Sequence, residues 1–277
     1  MLKIIQFIIK KIIQKFYCRL KFYLHYLKHR NEIKHRNEIK NRLLSVIIPI
    51  YDRINLLRES VESIIHSKYQ DFELLLILDG SPEATKNVVY SYKNHPKIRI
   101  IETLEQTGNA CIPRNIGIKE AHGDIIVLLD SDDLSSENRL HTSFDELQEA
   151  DMIYGNFNIL KNNKILKSNT KQCTLLSMLA KGNHICQATV AARRDVLLNV
   201  GGFKKKMLYM EDMELWCRIL YTGHKVKFVN KVLATYRIHS DNLERKIEDK
   251  KWFDELLKEY KKIPKQLDLV EYKEMQI

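Results

Sequence analysis

Residues 123–133 read Gly123-Asp-Ile-Ile-Val-Leu-Leu-Asp-Ser-Asp-Asp133, and the fold turns on how this stretch is read. The apolar run Ile125 to Leu129 is too short for an ordinary helix and rich in branched side chains. It predicts a strand buried on both faces of a sheet. The run stops at three carboxylates in four residues, Asp130, Asp132 and Asp133. In extended chain, Asp130 and Asp132 fall on one side and Ser131 on the other. Like charges aimed together at the end of a buried strand repel, and one tends to keep its proton. A divalent cation, which prefers hard oxygen ligands, removes the conflict. The competing reading is local: an acidic turn that caps the next helix.

Working outward, the preceding segments alternate strand and helix. Leu44 to Ile50 predicts a buried strand with Pro49 near its end, and Ile54, Leu57, Val61, Ile64 and Ile65 recur at helical spacing over 53–66. Phe72 to Leu78 is a second strand, closed by the turn Asp79-Gly80-Ser81-Pro82. A helix over 84–93, a strand over Ile98 to Ile101 and a helix over Ala110 to Ala121 follow. This rhythm predicts an α/β fold with a mostly parallel central sheet flanked by helices. Downstream of a helix over Glu137 to Ala150 the rhythm changes. Met152–Leu160 and Ile165–Lys167 predict a hairpin around Asn162-Asn163, and Ile185–Ala192 predicts a strand. Glu211–Tyr221 reads as a helix, Lys225–Tyr236 as a pair of short strands, and 248–261 as an amphipathic helix.

The 277 residues suffice for one large α/β domain with an appendage. A formal charge of +11 invites a nucleic-acid reading, but its location argues otherwise. Residues 1–42 carry a net +10 and everything after them +1, so no basic groove for nucleic acid is expected in the body. Within 1–28, Ile5, Ile9, Ile12, Phe16 and Leu20 share one helical face, with Lys3, Lys10 and Lys21 opposite. No apolar run approaches the roughly 20 residues of a spanning helix, and no signal-peptide cleavage site is present. A cationic amphipathic arm of this kind suits an anionic membrane surface; docking on the protein's own core or a partner is the alternative. The hexamer His29–Lys34 recurs identically as His35–Lys40 and reads as a polar linker. Five scattered cysteines without Cys-x-x-Cys read as reduced thiols.

Four segments fall at or just after strand ends: Pro49-Ile-Tyr51-Asp52, Asp79-Gly80-Ser81, Gln106-Thr-Gly108 and Asp130-Ser-Asp132. In a parallel sheet these ends share one edge, so they converge on one crevice. An aromatic ring, carboxylates and Arg114 at such an edge suit a nucleotide: stacking on the base, acceptance from base or ribose, and pairing with phosphate. Singly, each has a plainer reading. Asp79 caps a turn, Arg114 is a solvated helix residue, and Tyr51 belongs to the core. Further on, Glu211 and Asp212 open a helix, where acids also complement the dipole, and Tyr236-Arg-Ile-His239 ends a strand.

Taken in order, Ser45-Val-Ile-Ile-Pro-Ile-Tyr51, Asp79-Gly-Ser81, Arg114-Asn-Ile-Gly117, Leu129-Asp-Ser-Asp-Asp133, Gly201-Gly-Phe203, Glu211-Asp212 with Leu215-Trp216 and Arg218, and Tyr236-Arg-Ile-His239 resemble glycosyltransferase family 2. These are nucleotide-sugar-dependent enzymes of the GT-A fold. The resemblance covers roughly 43–240, with a nucleotide-binding half to about 135 and an acceptor half beyond it. It leaves 1–42 as a basic arm and 241–277 as a helical extension. It implies that Pro49, Tyr51 and Asp79 line the base pocket, that Arg114 sits near base or diphosphate, that Asp130 lies near the ribose and metal, and that Ser131 is among the residues that bind the donor. It further implies Asp132 as principal ligand, with Asp130, of Mn2+ or Mg2+, and Asp212 as general base beside Glu211. Trp216 and Arg218 would shape the acceptor side, and His239 would close over the diphosphate or reach the metal. Three positions depart from the family's habit: Leu78 where a second Asp is usual, Asp52 for Asn, and Pro113 for Ala.

The expectation is an inverting, metal-dependent transfer from a nucleotide sugar, UDP-linked, to a saccharide or lipid-linked acceptor. Its setting would be surface-polysaccharide synthesis at the inner face of a bacterial plasma membrane. A nucleotidyltransferase, which releases pyrophosphate, and a non-catalytic membrane-associated adaptor are the other classes.

Overall fold

Apolar runs with no polar interruption become the centre of the sheet, because only a strand covered on both faces can hide every side chain. The structure, a computed structural model, describes residue 39 and residues 41–239 apart from 169, 176, 179–181, 206, 208 and 209. Its strands are β1 Leu44–Ile50, β2 Phe72–Leu78, β3 Ile98–Glu102, β4 Ile125–Leu128, β5 Leu134–Ser135, β6 Met152–Lys161, β7 Lys164–Lys167, β8 Ala191–Arg193 and β9 Val226–Arg237. The helices are α1 Ile54–Ile65, α2 Glu83–Tyr90, α3 Cys111–Glu120, α4 Arg139–Glu146, α5 Arg194–Asn199 and α6 Glu211–Tyr221. The arm's amphipathic helix and the helix over 248–261 lie outside the described residues.

The strands form one sheet in the order β3-β2-β1-β4-β8-β6-β9-β5, with β7 paired to β6. From β3 to β4 the pairing is parallel, as expected from the strand–helix alternation. Beyond β4 the sheet is mixed: β8 is antiparallel to both β4 and β6, while β6 and β9 run parallel. Alternation along the central strands builds two cores. Ile47, Leu75, Ile77, Ile126 and Leu128 face Cys111 and Ile118 of α3 and the apolar side of α6. Val46, Ile48, Leu74, Leu76 and Val127 face Leu57, Val61 and Ile64 of α1. Close approach of α3 depends on Gly117, where a Cβ would lie 2.6 Å from Ile47 Cγ2.

Two predicted elements come out differently. Ile185–Ala192 is not a strand: residues Gln187–Thr189 form a 3₁₀ turn and only Ala191–Arg193 pair as β8. Lys225–Tyr236 is one strand rather than two. Val229 pairs Gly155 and Val232 pairs Asn156, so Asn230 and Lys231 are accommodated as a bulge. The Asn162-Asn163 hairpin forms as expected, both residues at positive φ, 48° and 59°, the backbone of a type I′ turn.

Candidate active site

Parallel β1, β2 and β4 deliver the segments after them to one sheet edge. After β1, Tyr51 is 44% exposed rather than core, Pro49 stays within the strand, and Arg53 precedes α1. After β2, Asp79 is buried and bound by the loop that follows β3. Its Oδ1 accepts from Thr107 N at 3.1 Å and its Oδ2 from Thr107 Oγ1 at 2.9 Å. The turn needs Gly80, whose φ is +59° and whose missing Cβ would sit 2.2 Å from Gln106 N. Ser81 Oγ donates to Ile50 O at 2.8 Å, tying the ends of β1 and β2.

After β4 the chain leaves the extended conformation. Asp133 N donates to Asp130 O at 3.1 Å, so Asp130–Asp133 is a turn and simple side-to-side alternation does not describe it. Each carboxyl takes its own partner instead, a side chain for Asp130 and Asp132 and a backbone amide for Asp133. Asp130 Oδ1 accepts from Arg114 Nη2 at 2.8 Å. Asp132 Oδ2 lies 3.2 Å from Arg53 Nη1 and 3.1 Å from His239 Nε2. Asp133 is buried and accepts from Arg237 N at 2.9 Å. Burial, then the charges of Asp130 and Asp132, push its carboxyl well above the usual range. Ser131 is also buried, its carbonyl accepting from Ser60 Oγ at 2.9 Å.

Arg114 joins this turn to the second half of the chain. It is buried, on α3, and its Nη1 donates to Glu211 Oε1 at 2.9 Å. With its amide oriented to accept, Gln187 Oε1 lies 2.8 Å from Arg114 Nε and 2.6 Å from Nη2. Burial opposes the Arg114 charge, and Asp130 and Glu211 more than offset it, so the guanidinium holds its proton more firmly than in water. Next to Glu211, Asp212 Oδ2 accepts from Asn183 Nδ2 at 2.7 Å. Burial, then the Glu211 charge, push the Asp212 carboxyl up to about 7.

Two residues expected at the acceptor side take structural positions. Trp216 is fully buried, its ring edge-on to Phe203 at 6.3 Å, so it meets a ligand only through what packs over it. Arg218 is mostly buried; its Nη2 donates to Gly202 O at 2.8 Å and its Nη1 to Val200 O, while Nε bonds Glu214 at 3.1 Å. It holds the Gly201-Gly202 turn.

Sequence reading missed Arg53, Gln187, Asn183 and Arg139, and gave Arg237 only as part of the Tyr236–His239 motif, with no partner. Arg237 Nη2 donates to Leu56 O at 2.8 Å and Ser60 Oγ at 2.9 Å, and its Nε to Asp132 O, so it clamps α1 and the aspartate turn together. Arg139, fully buried, donates to Leu128 O at 2.7 Å and Val190 O at 3.1 Å, fixing the end of β4 from beneath. For Arg53 one signal was available, its place directly after Tyr51-Asp52; the others meet their partners only through tertiary contact.

No group of three or more His, Cys, Asp or Glu poised for a metal occurs among the described residues. Two carboxylates at one turn nonetheless fit an ion such as Mg2+ or Mn2+, which commonly takes one or two protein carboxylates and completes its shell with substrate phosphate and water. No helix of the described residues is long and apolar enough to cross a membrane.

An α/β sheet that is parallel where it carries the aspartate turn and mixed beyond it is the GT-A architecture. The chain belongs to the family described as Glycosyl transferase family 2, whose model matches residues 45–197. An uncharacterized glycosyltransferase of Rickettsia felis is 28% identical over 221 residues, covering 74% of this chain and 36% of the relative. The chain thus spans little more than a third of that relative's length. The UDP-Glc:alpha-D-GlcNAc-diphosphoundecaprenol beta-1,3-glucosyltransferase WfgD of Escherichia coli is 30% identical over 181 residues, covering 64% of this chain and 70% of that one. Among solved structures, S. aureus TarS 1-349 in complex with UDP-GlcNAc is similar at a TM-score of 0.65 and 20% identity, over 77% of this chain and 64% of that one.

Proposed function

We propose that the chain is an inverting glycosyltransferase that moves a sugar from a nucleotide donor, UDP-linked, to a saccharide or lipid-linked acceptor in bacterial surface-polysaccharide synthesis. It would work at the cytoplasmic face of the plasma membrane. The observation that carries this reading is the Arg114 bridge, 2.8 Å to Asp130 and 2.9 Å to Glu211. It puts the aspartate turn and the Glu211-Asp212 helix start on either side of one side chain. The names of WfgD and of the TarS complex, both with UDP-linked donors, support the choice of nucleotide.

On this reading, Tyr51 offers its exposed ring to the base, and Asp79, immobilised by Thr107, accepts from base or ribose. Asp130 and Asp132 would hold the divalent cation, whose chemistry when bound is to neutralise charge growing on the leaving diphosphate. Arg53, beside Asp132, offers further positive charge at the same place, and His239 lies within hydrogen-bonding distance of both. Asp212 takes the proton of the acceptor hydroxyl as it attacks the anomeric carbon from the face opposite the leaving group. Its raised affinity for a proton suits a base working near neutral pH, a contribution typically worth about 10²–10⁴-fold. Asn183, donating to Oδ2, aims the carboxylate.

The test is a nucleotide-sugar panel with and without Mn2+ or Mg2+, following products. Nucleoside diphosphate released in step with sugar transferred supports the proposal. Pyrophosphate release refutes it in favour of nucleotidyl transfer, and no turnover with any donor favours an adaptor.

A further inference from the structure

The longest wholly exposed run among the described residues is the β6–β7 hairpin. Every residue from Lys161 to Lys167 is exposed, including two adjacent large apolar side chains, Ile165 at 62% and Leu166 at 59%. Nothing in the fold requires them there: β7 pairs β6 alone, so both face solvent on an edge strand. An exposed hydrophobic edge is ordinarily an aggregation hazard, and lysines surround this one. Lys161, Lys164, Lys167 and Lys171 flank the apolar pair, and none of them makes an ion pair with a described residue. The charge is one-sided over a long stretch. From 152 to 194 the sequence contains seven Lys or Arg and no Asp or Glu. Elsewhere after residue 42 the two signs are mixed.

We infer that this hairpin is a docking finger for an anionic lipid bilayer: Ile165 and Leu166 enter the boundary between headgroups and acyl chains, and the flanking lysines meet the lipid phosphates. Adjacent apolar residues bracketed by lysines suit an interface that is greasy below and negative above. An acidic protein surface would use the lysines but gives no reason for two unsheltered aliphatics at the same tip. The type I′ turn at Asn162-Asn163 keeps the finger short and stiff.

Position in the sheet gives the finger a purpose. Leu160 pairs Ile165 on one side and Arg237 on the other. Ile165 is therefore two strand spacings, about 10 Å, from Arg237, which holds the Asp132–Asp133 turn, and His239 follows two residues later. A bilayer against the finger lies along the same sheet edge as the candidate site. That consequence alone rests on the transferase reading: an acceptor anchored in the bilayer would meet the cleft without leaving the lipid. The docking itself does not depend on any catalytic assignment.

The test uses the full chain carrying Ile165→Trp, with fluorescence corrected for the wild-type signal of Trp216 and Trp252. Vesicles of phosphatidylglycerol and phosphatidylethanolamine are compared with phosphatidylcholine, each with a shallow brominated lipid. The expected result is a blue shift and quenching of residue 165 on the anionic vesicles only. Lys164→Gln with Lys167→Gln lowers vesicle partitioning about twenty-fivefold, each lysine near an anionic surface being worth roughly fivefold. The cationic arm of residues 1–42 is itself a candidate for vesicle binding, so sedimentation does not decide. Protein that sediments with vesicles while residue 165 stays unquenched overturns the inference, as does protein that fails to bind them. Either outcome leaves a protein partner as occupant of the finger. Equal quenching on neutral vesicles overturns the role of the lysines. Turnover is not measured, so failure here is separate from failure of the transferase reading.

Discussion

Arg114→Met removes a guanidinium and keeps most of its volume, which isolates the electrostatic role of the bridge. In the wild type that group satisfies Asp130 at 2.8 Å, Glu211 at 2.9 Å and, through Nε, Gln187 at 2.8 Å. Breaking a buried ion pair by deleting one partner costs about 3–5 kcal/mol. The Asp130 and Glu211 side chains keep 30% and 19% of their exposure, so water offsets part of the loss and the low end, about 3 kcal/mol, is expected. Urea unfolding reads this directly. With slopes of about 1–3 kcal/mol per molar, the midpoint should fall by at least about 1 M. Adding Asp130→Asn to Arg114→Met should recover part of the loss, a coupling that a double-mutant cycle isolates. A loss below about 1 kcal/mol at pH 7.5, or no recovery in the double variant, refutes the bridge as a load on the fold.

Three further outcomes follow from the same geometry. Asp212→Asn should cut transfer by about 10²–10⁴-fold with the fold intact, and wild-type activity should climb with pH through about 7 as the base loses its proton; a flat profile from pH 5.5 to 8, in roughly unit steps, removes Asp212 as base. The stability sign is opposite. A carboxyl whose folded pKa is raised binds more protons when folded, so it costs stability as pH rises above its unfolded value, and Asp212→Asn should melt higher than wild type at pH 8. Asp132→Ala should abolish donor binding measured by calorimetry, and chelation should weaken it in the wild type; unchanged affinity in both would falsify the metal assignment. Gly80→Ala must hold a left-handed φ of +59° with its Cβ 2.2 Å from Gln106 N. The backbone alone costs about 1–2 kcal/mol, so a melting temperature within about 2 °C of wild type contradicts the left-handed turn at Gly80.

What the sequence disclosed tracks how local each cause is. β1, β2 and β4 are continuous apolar runs, and α6 shows both its acidic start and its helical spacing, so they were legible without tertiary knowledge. Ile185–Ala192 misled because buried residues recur there without any ladder to hold them: Ala188, Thr189 and Val190 are buried as a tight turn beneath the site. Lys225–Tyr236 reads as two short strands, yet β6 continues opposite and the sheet absorbs Asn230-Lys231 as a bulge. In the candidate site, Asp130, Asp132 and Arg114 are named from their pattern, and Asp212 as base from the resemblance. Arg53 follows Tyr51-Asp52 directly, but its partner Asp132 lies 79 positions on, so the pairing itself shows only in the fold. The resemblance implies that Trp216 and Arg218 shape the acceptor side; Trp216 packs against Phe203 and Arg218 holds the Gly201-Gly202 turn, contacts that only the tertiary fold makes.

The Arg237 clamp bears on synthesis as well as on shape. The aspartate turn is made by residue 133, but the side chain that fastens it to α1 arrives more than a hundred residues later. A ribosome-borne chain that has emerged only through α6 can have its parallel strands laid down while that turn still lacks its fastener and β6 lacks its β9 neighbour. Competence for ligand is thereby deferred until translation has passed the last strand of the sheet.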